Sequence, residues 1–399
     1  MSVVAGAIED AAAPVADATT AAVAWGWSRP PVPRAPAPGE RVLRALDDLR
    51  RWGVHASFRL LRPFTRTPAL RGLLVRRDAR SVLLLTAHAL GAFTIALLAP
   101  SLSLVVAPLV LGVPHVASDV RHLVVRRALP RWWVRAIVAF AAALIATRLL
   151  EEAHVLATAP LRFEHGLASA WLVVGVVGGA RLGGWRRSAW PAMVLVAAVV
   201  AFSLGQPRWF RLVFVQAHNL VAIAIWLLLL RRGQRLVWLP VAVVLLGAAL
   251  LGSGILLGVT VRHGALSVLG LHLFAAADWI APGLPDGPAL ALTTAFAFLQ
   301  AVHYAIWLVA IPRADARTPG RPTVRMAWRN LARDLTAGGV ACVAALALVV
   351  LVAGVVTPMR TRALLLSMAT FHAWLELALL AFFVARDGLS RPAPARARA

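Results

Sequence analysis

The sequence predicts an all-α fold, a polytopic transmembrane helical bundle of about ten spans with one re-entrant or interfacial segment. Composition is the first reason, because 60% of the 399 residues are hydrophobic and the mean hydropathy is +0.77, beyond what is typical of soluble domains. Second, ten apolar stretches approach the roughly 20 residues that a helix needs to cross a hydrocarbon core. Third, Arg-rich connections alternate between these stretches, as cytoplasmic loops do.

The two ends of the chain differ in composition from the middle. Residues 1–40 are rich in Ala and Pro without a continuous apolar stretch, which predicts a disordered cytoplasmic tail. Residues 41–80 carry Arg with apolar residues at helical spacing, which is typical of an amphipathic helix on the membrane surface; a solvated charged helix is the alternative. We therefore predict the transmembrane bundle over 81–385 and a basic cytoplasmic tail over 386–399.

Hydropathy and loop charge together predict the order of the spans. The predicted spans are 81–99, 101–124, 132–150, 166–182, 188–205, 209–230, 236–259, 288–311, 335–356 and 363–384. Because the Arg-rich connections face the cytoplasm, both termini are predicted to be cytoplasmic. Segment 266–282 is also apolar, but a crossing there would reverse every later span. It is predicted to be re-entrant or interfacial on the outer side, ending in a turn near Pro282 and Gly283.

The charge of the chain predicts contact with membrane lipids and no nucleic acid. The formal net charge is +24, and all 41 basic residues are Arg, since the sequence contains no Lys. These residues concentrate between the apolar stretches and in the tails, where orientation and anionic lipid head groups account for them. The single cysteine, Cys342, lies in an apolar stretch, which excludes an intrachain disulfide and a thiolate metal site.

Four histidines lie inside four different predicted spans. They are His115, His218, His303 and His372. Ionisable residues at that depth are costly and usually face the bundle interior, so they are candidates for function. In the predicted topology all four spans run from outside to inside, with each histidine about ten to sixteen residues from the outer end. At about 1.5 Å per residue, the four histidines lie within one to two helical turns of a common depth.

Carboxylates accompany two of these histidines at helical spacing. His115, Asp119 and His122 are spaced i, i+4, i+7 and share one helix face. Glu376 likewise follows His372 by four residues. Because metal-bound imidazoles usually donate their other N–H to an oxygen, Asp119 and Glu376 could orient the histidines or bind a metal directly.

Further polar residues lie beside the other two histidines. Tyr304, the only tyrosine, follows His303 and could donate a hydrogen bond near the site. The amides are Gln216 and Asn219 beside His218, and Gln300 beside His303. We include Tyr304 and His122 with Asp119 and Glu376 as residues that could contact a cofactor.

The remaining histidines are expected to be peripheral. His55, His154, His165 and His263 fall in predicted loops or near the interfaces, where solvated roles are expected. His88 could reach the common depth from an oppositely directed span, and His272 could close the site if 266–282 dips into the bundle.

Imidazole and carboxylate donors without thiolate suit non-haem iron, manganese, copper or zinc. A buried set of such ligands that an apolar substrate can reach favours Fe(II) with O₂ as the co-substrate. Three alternatives stay open: hydrogen bonds between helices, a haem-binding membrane cytochrome, and a proton-coupled transporter.

One motif resembles the signature of a known enzyme family. It is Gly112-Val113-Pro114-His115-Val116-Ala117-Ser118-Asp119, which resembles the Gly-x-Pro-His-Gly-x-x-Asp signature of the bacterial Brp/Blh-type β-carotene 15,15'-dioxygenases, with Val116 in place of the second glycine. The resemblance implies an integral membrane, non-haem Fe(II) enzyme with four histidine ligands that cleaves β-carotene to retinal. His115 matches the histidine of the signature and Asp119 its acid. The other three ligands are predicted from depth and helix direction alone.

Overall fold

The computed structural model describes most of the chain between residues 38 and 387. The described residues are 38–61, 67, 77–155, 160–230, 235–315 and 323–387. Residues 1–37 of the predicted tail 1–40, residues 62–66 and 68–76 of the predicted surface segment, and residues 388–399 of the predicted tail 386–399 lie outside them, so the predictions made for those parts stay predictions.

Fifteen α-helices and one short hairpin make up the described chain. The first seven helices are α1 (Pro38–Leu61), α2 (Arg77–Leu98), α3 (Pro100–Asp119), α4 (Arg131–Glu152), α5 (Pro160–Leu182), α6 (Trp190–Gly205) and α7 (Pro207–Ile225). The remaining elements are α8 (Trp238–Gly252), α9 (Leu257–His263), β1 (Ser267–Val268), β2 (Leu271–His272), α10 (Leu273–Ile280), α11 (Asp286–Ala305), α12 (Ile311–Ala314), α13 (Val324–Val356), α14 (Pro358–Met368) and α15 (Thr370–Asp387). The predicted all-α polytopic bundle is confirmed.

Eight helical segments of the described chain are long and apolar enough to cross a membrane. They contain α2, α3, α4, α5, α7, α11, α13 and the pair α14 and α15. The chain is therefore a multi-pass membrane protein. The ten predicted spans differ from these segments at two places. Helix α6 has only 16 residues, and the predicted span 236–259 is divided into α8 and α9, which meet at a bend of 74°.

The break between α8 and α9 has a local cause. Gly254 adopts a φ of +78°, a left-handed conformation that glycine reaches without the steric cost of a Cβ. This residue ends the helical hydrogen bonding of α8, and α9 then starts in a new direction. Hydropathy alone could not locate this bend because both halves are apolar.

Segment 266–282 does not form a spanning helix. It begins as an antiparallel hairpin in which Ser267 pairs with His272, and its two turn residues, Leu269 and Gly270, both have positive φ, as hairpin turns require. The short helix α10 follows. The hydroxyl of Ser101 donates to the carbonyl of Leu266 at 2.7 Å, which ties the hairpin to the start of α3.

The amphipathic helix predicted within 41–80 is present as α1. Asp47 accepts a 2.7 Å hydrogen bond from the backbone N–H of Val324, and this bond holds the pKa of Asp47 below its ordinary value. Glu40 forms an ion pair with Arg325. Trp52, 70% exposed, belongs to the apolar residues that α1 leaves uncovered. Such a face is suited to a membrane surface.

Helix α13 is two helices joined at a kink. Thr336 has a non-helical backbone (φ 64°, ψ 160°), and its hydroxyl accepts a hydrogen bond from the N–H of Gly339 at 3.1 Å. Thr336 thus caps the second part of α13. The predicted span 335–356 corresponds to this second part, while the first part packs against α1.

Glycines bring α5 and α15 into close contact. Gly175 and Gly179 on α5 and Gly183 just after its end are four residues apart, and a Cβ on any of them would approach a backbone carbonyl of α15 more closely than real Cβ atoms do. This small-residue stripe is typical of membrane helix packing. It positions α15, which carries His372 and Glu376.

Candidate metal centre

The structure brings the four predicted histidines together from helices α3, α7, α11 and α15. Between ring centroids, His115 lies 5.4 Å from His303 and 4.8 Å from His372. His218 lies 5.5 Å from His303 and 5.9 Å from His372. We call these four residues the histidine cluster.

For two members of the histidine cluster, the hydrogen-bond partners show which ring nitrogen carries the proton. Nδ1 of His218 lies 3.0 Å from the carbonyl oxygen of Val215, and Nδ1 of His372 contacts the carbonyl oxygen of Ala369. A carbonyl oxygen only accepts hydrogen bonds, so each Nδ1 must carry the proton. The Nε2 atom of each ring is left with a lone pair, which is the form in which histidine binds metals.

The other two histidines form only weak polar contacts among the described residues. Both ring nitrogens of His115 and of His303 are buried without a well-formed hydrogen bond; backbone groups lie near both rings, and Glu376 lies near Nε2 of His303. These two side chains are 2% and 1% exposed. A buried polar group without a partner costs about 1–3 kcal/mol. Each neutral ring offers one lone pair, so His115 and His303 together present two lone pairs that a bound metal ion could accept.

Two carboxylates lie directly beside the histidine cluster. Asp119 and Glu376 are both 0% exposed, and none of their four oxygens forms a well-formed hydrogen bond in the part of the chain that the structure describes, although Trp307 lies close to Glu376. Glu376 lies 3.4 Å from His303, measured between Oε1 and Nε2. The predicted i, i+4 spacing thus places an acid one turn below His115 and another one turn below His372.

The donor atoms form two overlapping groups of metal-binding size. In one group, His115, His303 and His372 each offer a nitrogen within 4.8 Å of the others. In the second group, His372 is joined by Asp119 and Glu376 over the same distance. His218 is not part of either group, but its ring lies beside those of His303 and His372. The residues present therefore fit a divalent first-row metal, which imidazole and carboxylate ligands suit.

The same crowding disfavours a haem. A haem with two axial histidines needs a flat space for the macrocycle between the two imidazole rings. Here the ring of His303 lies within about 6 Å of the rings of both His115 and His372. A macrocycle placed between His115 and His372 would therefore overlap the His303 ring.

Tyr304 and the predicted amides surround the cluster. The ring of Tyr304 lies 4.6 Å from that of His115, centroid to centroid. Asn219 donates to the carbonyl of Val215 at 3.1 Å, and Gln216 donates to the carbonyl of Leu292 at 3.2 Å. Gln300 keeps its Oε1 atom buried and without a partner among the described residues.

His122 lies elsewhere, although the i, i+4, i+7 spacing predicted that it shares a face with His115 and Asp119. The backbone changes from an α-helix to a π-helical turn over Val120–Val124, and such a turn shifts the following side chains around the helix axis. Nδ1 of His122 lies 2.8 Å from Oδ2 of Asp315. His122 therefore belongs to a charged group at the end of α3.

That charged group joins three parts of the chain. Arg126 contacts Asp315 at 2.7 Å, and Arg121 contacts Asp334 at 2.8 Å. Burial by itself raises the pKa of Asp315, but the hydrogen bond with His122 and the nearby Arg charges outweigh it and hold that pKa below its ordinary value. We call these five residues the end network.

The remaining histidines are divided between surface and interior. His88 is exposed and bonds only the carbonyl of Leu84 in its own helix, and His272 caps the start of α10, so neither joins the cluster. The expectation of a solvated His165 was wrong. This ring is 3% exposed and contacts the carbonyl of Ser203 at 3.0 Å, because α5 begins at residue 160 and carries it into the bundle.

A cavity of about 880 Å³ opens onto the histidine cluster. It extends toward the bundle end where α4 finishes and α5 begins, and there Arg148 lies 2.6 Å from Glu164. Its walls also include Tyr304 and Arg362. The sequence patterns do not reveal this cavity, because its walls come from helices distant in the chain.

Comparison with known proteins adds no relative. No protein-family model, curated protein or solved structure matches the chain.

Proposed function

We propose that the chain is a membrane-embedded non-haem iron oxygenase. Its histidine cluster holds one Fe(II), and it acts with O₂ on an apolar polyene that enters from the lipid phase. The resemblance at Gly112 to Asp119 makes a carotenoid the first substrate to test, with oxidative cleavage of β-carotene to retinal as the reaction. The location is the inner membrane of a bacterium, with both termini cytoplasmic.

One observation carries this proposal. Helices α3, α7, α11 and α15 converge on one point with four imidazoles, two buried carboxylates and many polar atoms without a partner among the described residues. Helix packing alone would not favour this arrangement, because each unpartnered atom in an apolar interior costs free energy. A bound divalent cation removes that cost and balances the two carboxylates.

When bound, Fe(II) supplies O₂ chemistry at an open coordination position. The chain supplies the surroundings of that chemistry. The histidine cluster holds the ion, and Asp119 and Glu376 orient the imidazoles and contribute negative charge. The cavity leads an apolar chain to the cluster, and its apolar walls exclude water from the reacting polyene. Tyr304, against His115, places one hydroxyl beside the reaction space.

Metal analysis of the detergent-purified protein tests the proposal. We expect about one iron per chain, no Soret absorption, and loss of the iron in His115→Ala and His372→Ala. His88→Ala is the matched control, because it removes an exposed histidine of the same bundle. Product analysis after incubation with β-carotene and O₂ then tests the reaction.

Two results would contradict the proposal. Equal iron content in wild type, His115→Ala and His372→Ala would show that the iron is not bound by the histidine cluster. Iron at full occupancy with no O₂-dependent product from any carotenoid would leave a metal site but reject the substrate class.

A further inference from the structure

Arg362 is a buried cation without a counter-charge. It lies on α14, in a membrane-spanning segment, and is 5% exposed. Its Nε donates to the carbonyl of Leu104 at 2.6 Å, and its guanidinium carbon lies 5.1 Å from the ring centroid of Trp279. Its Nη2 atom is buried without a partner. No carboxylate of the described residues forms an ion pair with it.

An unpaired guanidinium at this place is costly. A charged side chain within a membrane segment is energetically costly, and such residues usually pair or mark a ligand pathway. The carbonyl and the Trp279 ring compensate part of the charge. The free Nη2 atom still requires an acceptor, and a negatively charged acceptor would be the most favourable.

Arg362 lines the same cavity as the histidine cluster. Tyr304 interacts electrostatically with Arg362, and its ring packs against His115, so Tyr304 is close to both the guanidinium and the cluster. The cavity wall also includes the apolar residues Leu271, Ala276, Met359 and Leu365. Its other charged lining residues are Arg148, Glu151, Glu152, Glu164 and Arg211. The cavity thus presents a cation, an apolar wall and a group of metal-binding residues to one ligand.

We propose that Arg362 binds the carboxylate of an amphipathic ligand whose unsaturated chain extends to the histidine cluster. This proposal rests on the proposed function and narrows its substrate class from hydrocarbons to long-chain polyene acids. A carboxylate fits better than a phosphate dianion, because one guanidinium with its Nε already bonded balances a single negative charge. The ligand head would bind at Arg362 and place a double bond beside the metal-binding residues.

Binding of parinaric acid, a fluorescent polyene fatty acid, tests this assignment at pH 8 in detergent. The wild type should bind the acid at least about 10-fold more tightly than its methyl ester. Arg362→Gln should weaken acid binding by about 10- to 100-fold and leave ester binding unchanged. Arg360→Gln is the matched control, because it removes an exposed Arg from the same helix and should bind the acid like wild type.

Equal affinity of wild type for acid and ester would overturn the proposal, and this comparison needs no variant that might misfold. Unchanged acid binding in Arg362→Gln would also overturn it, as would full displacement of the acid by phosphatidylglycerol vesicles, which would assign Arg362 to a lipid head group. Metal content is measured on the same samples. If the protein binds the acid through Arg362 but contains no iron, the iron oxygenase proposal is rejected and the Arg362 site stands. If the protein contains iron but binds acid and ester equally, the Arg362 site is rejected and the iron oxygenase proposal stands.

Discussion

Nε2 of His303 and Oε1 of Glu376 lie 3.4 Å apart, on side chains that are 1% and 0% exposed. Neither group forms a well-formed hydrogen bond elsewhere in the described residues; the nearest other polar groups are the indole of Trp307 for Glu376 and the backbone of Asn219 for His303. A carboxylate buried in this way needs a cation or a donor close by. In the proposed metal site, Glu376 is therefore either a ligand of the ion or the group that orients His303.

Glu376→Gln should lower the metal affinity of the purified protein by about 10- to 100-fold. Glutamine has the same shape but lacks the negative charge, so the bundle should still assemble around it. Titration with a competing chelator measures the affinity. Glu152→Gln removes an exposed carboxylate and should bind the metal like wild type. If Glu376→Gln bound the metal with wild-type affinity, Glu376 would have no role in metal binding and would only fill space in the bundle.

Gly179→Ala should destabilise the bundle by about 1–3 kcal/mol, as overpacking of a filled interface does. A Cβ at this position would meet the backbone of Phe382 on α15, and α15 would have to move with His372. Thermal unfolding in detergent should show a lower midpoint, with reduced metal binding.

Gly166→Ala is the control for this change, since it lies on the same helix with open space around it. There an Ala should be neutral or stabilise by up to about 1 kcal/mol. If both variants unfolded at the wild-type temperature, the close packing of α5 on α15 would be refuted.

Sequence reasoning predicted the fold and the meeting point of the histidines because both depend on local rules. Apolar stretches of membrane length predict spanning helices, and residues at equal depth on parallel helices lie close together in a bundle. His115, His218, His303 and His372 meet for that reason. The i, i+4 rule likewise placed Asp119 and Glu376 below their histidines.

The remaining features depend on packing between distant segments. The π-helical turn that separates His122 from His115 has no marker in the apolar sequence, and neither does the pairing of Gly179 with Phe382. Arg362 immediately precedes the predicted span 363–384, and its sequence context does not indicate that it is buried. Only the fold shows that α3 and α10 enclose it with no acid beside it.

Ala275→Trp should obstruct the cavity without changing the metal site. Ala275 lines the cavity and is exposed, so a large side chain there can project into the open space at little cost in stability. We expect weaker parinaric acid binding, by about 10-fold or more, with unchanged iron content. Ala201→Trp, at an exposed position on α6 outside the cavity, should bind the ligand normally. Full ligand affinity in Ala275→Trp would mean that the ligand enters by another route.

The end network should stabilise the protein in a pH-dependent way. The folded-state pKa of Asp315 is lowered, because the hydrogen bond with His122 and the charges of Arg126 and Arg127 outweigh burial. Its contribution is therefore complete above the ordinary carboxyl pKa of about 3.9 and disappears as the pH falls through the lower folded value.

Asp315→Asn should consequently lower the thermal midpoint at pH 7 by several degrees, since a hydrogen bond to a charged group contributes about 1.5–3 kcal/mol. The difference from wild type should shrink below about pH 4, where protonation neutralises Asp315 in the wild type as well. Asp48→Asn removes a carboxylate with a 75% exposed side chain and should change the midpoint little at either pH. A difference between Asp315→Asn and wild type that stayed constant down to pH 3 would mean that Asp315 acts through shape rather than charge, and the end network would lose its electrostatic role.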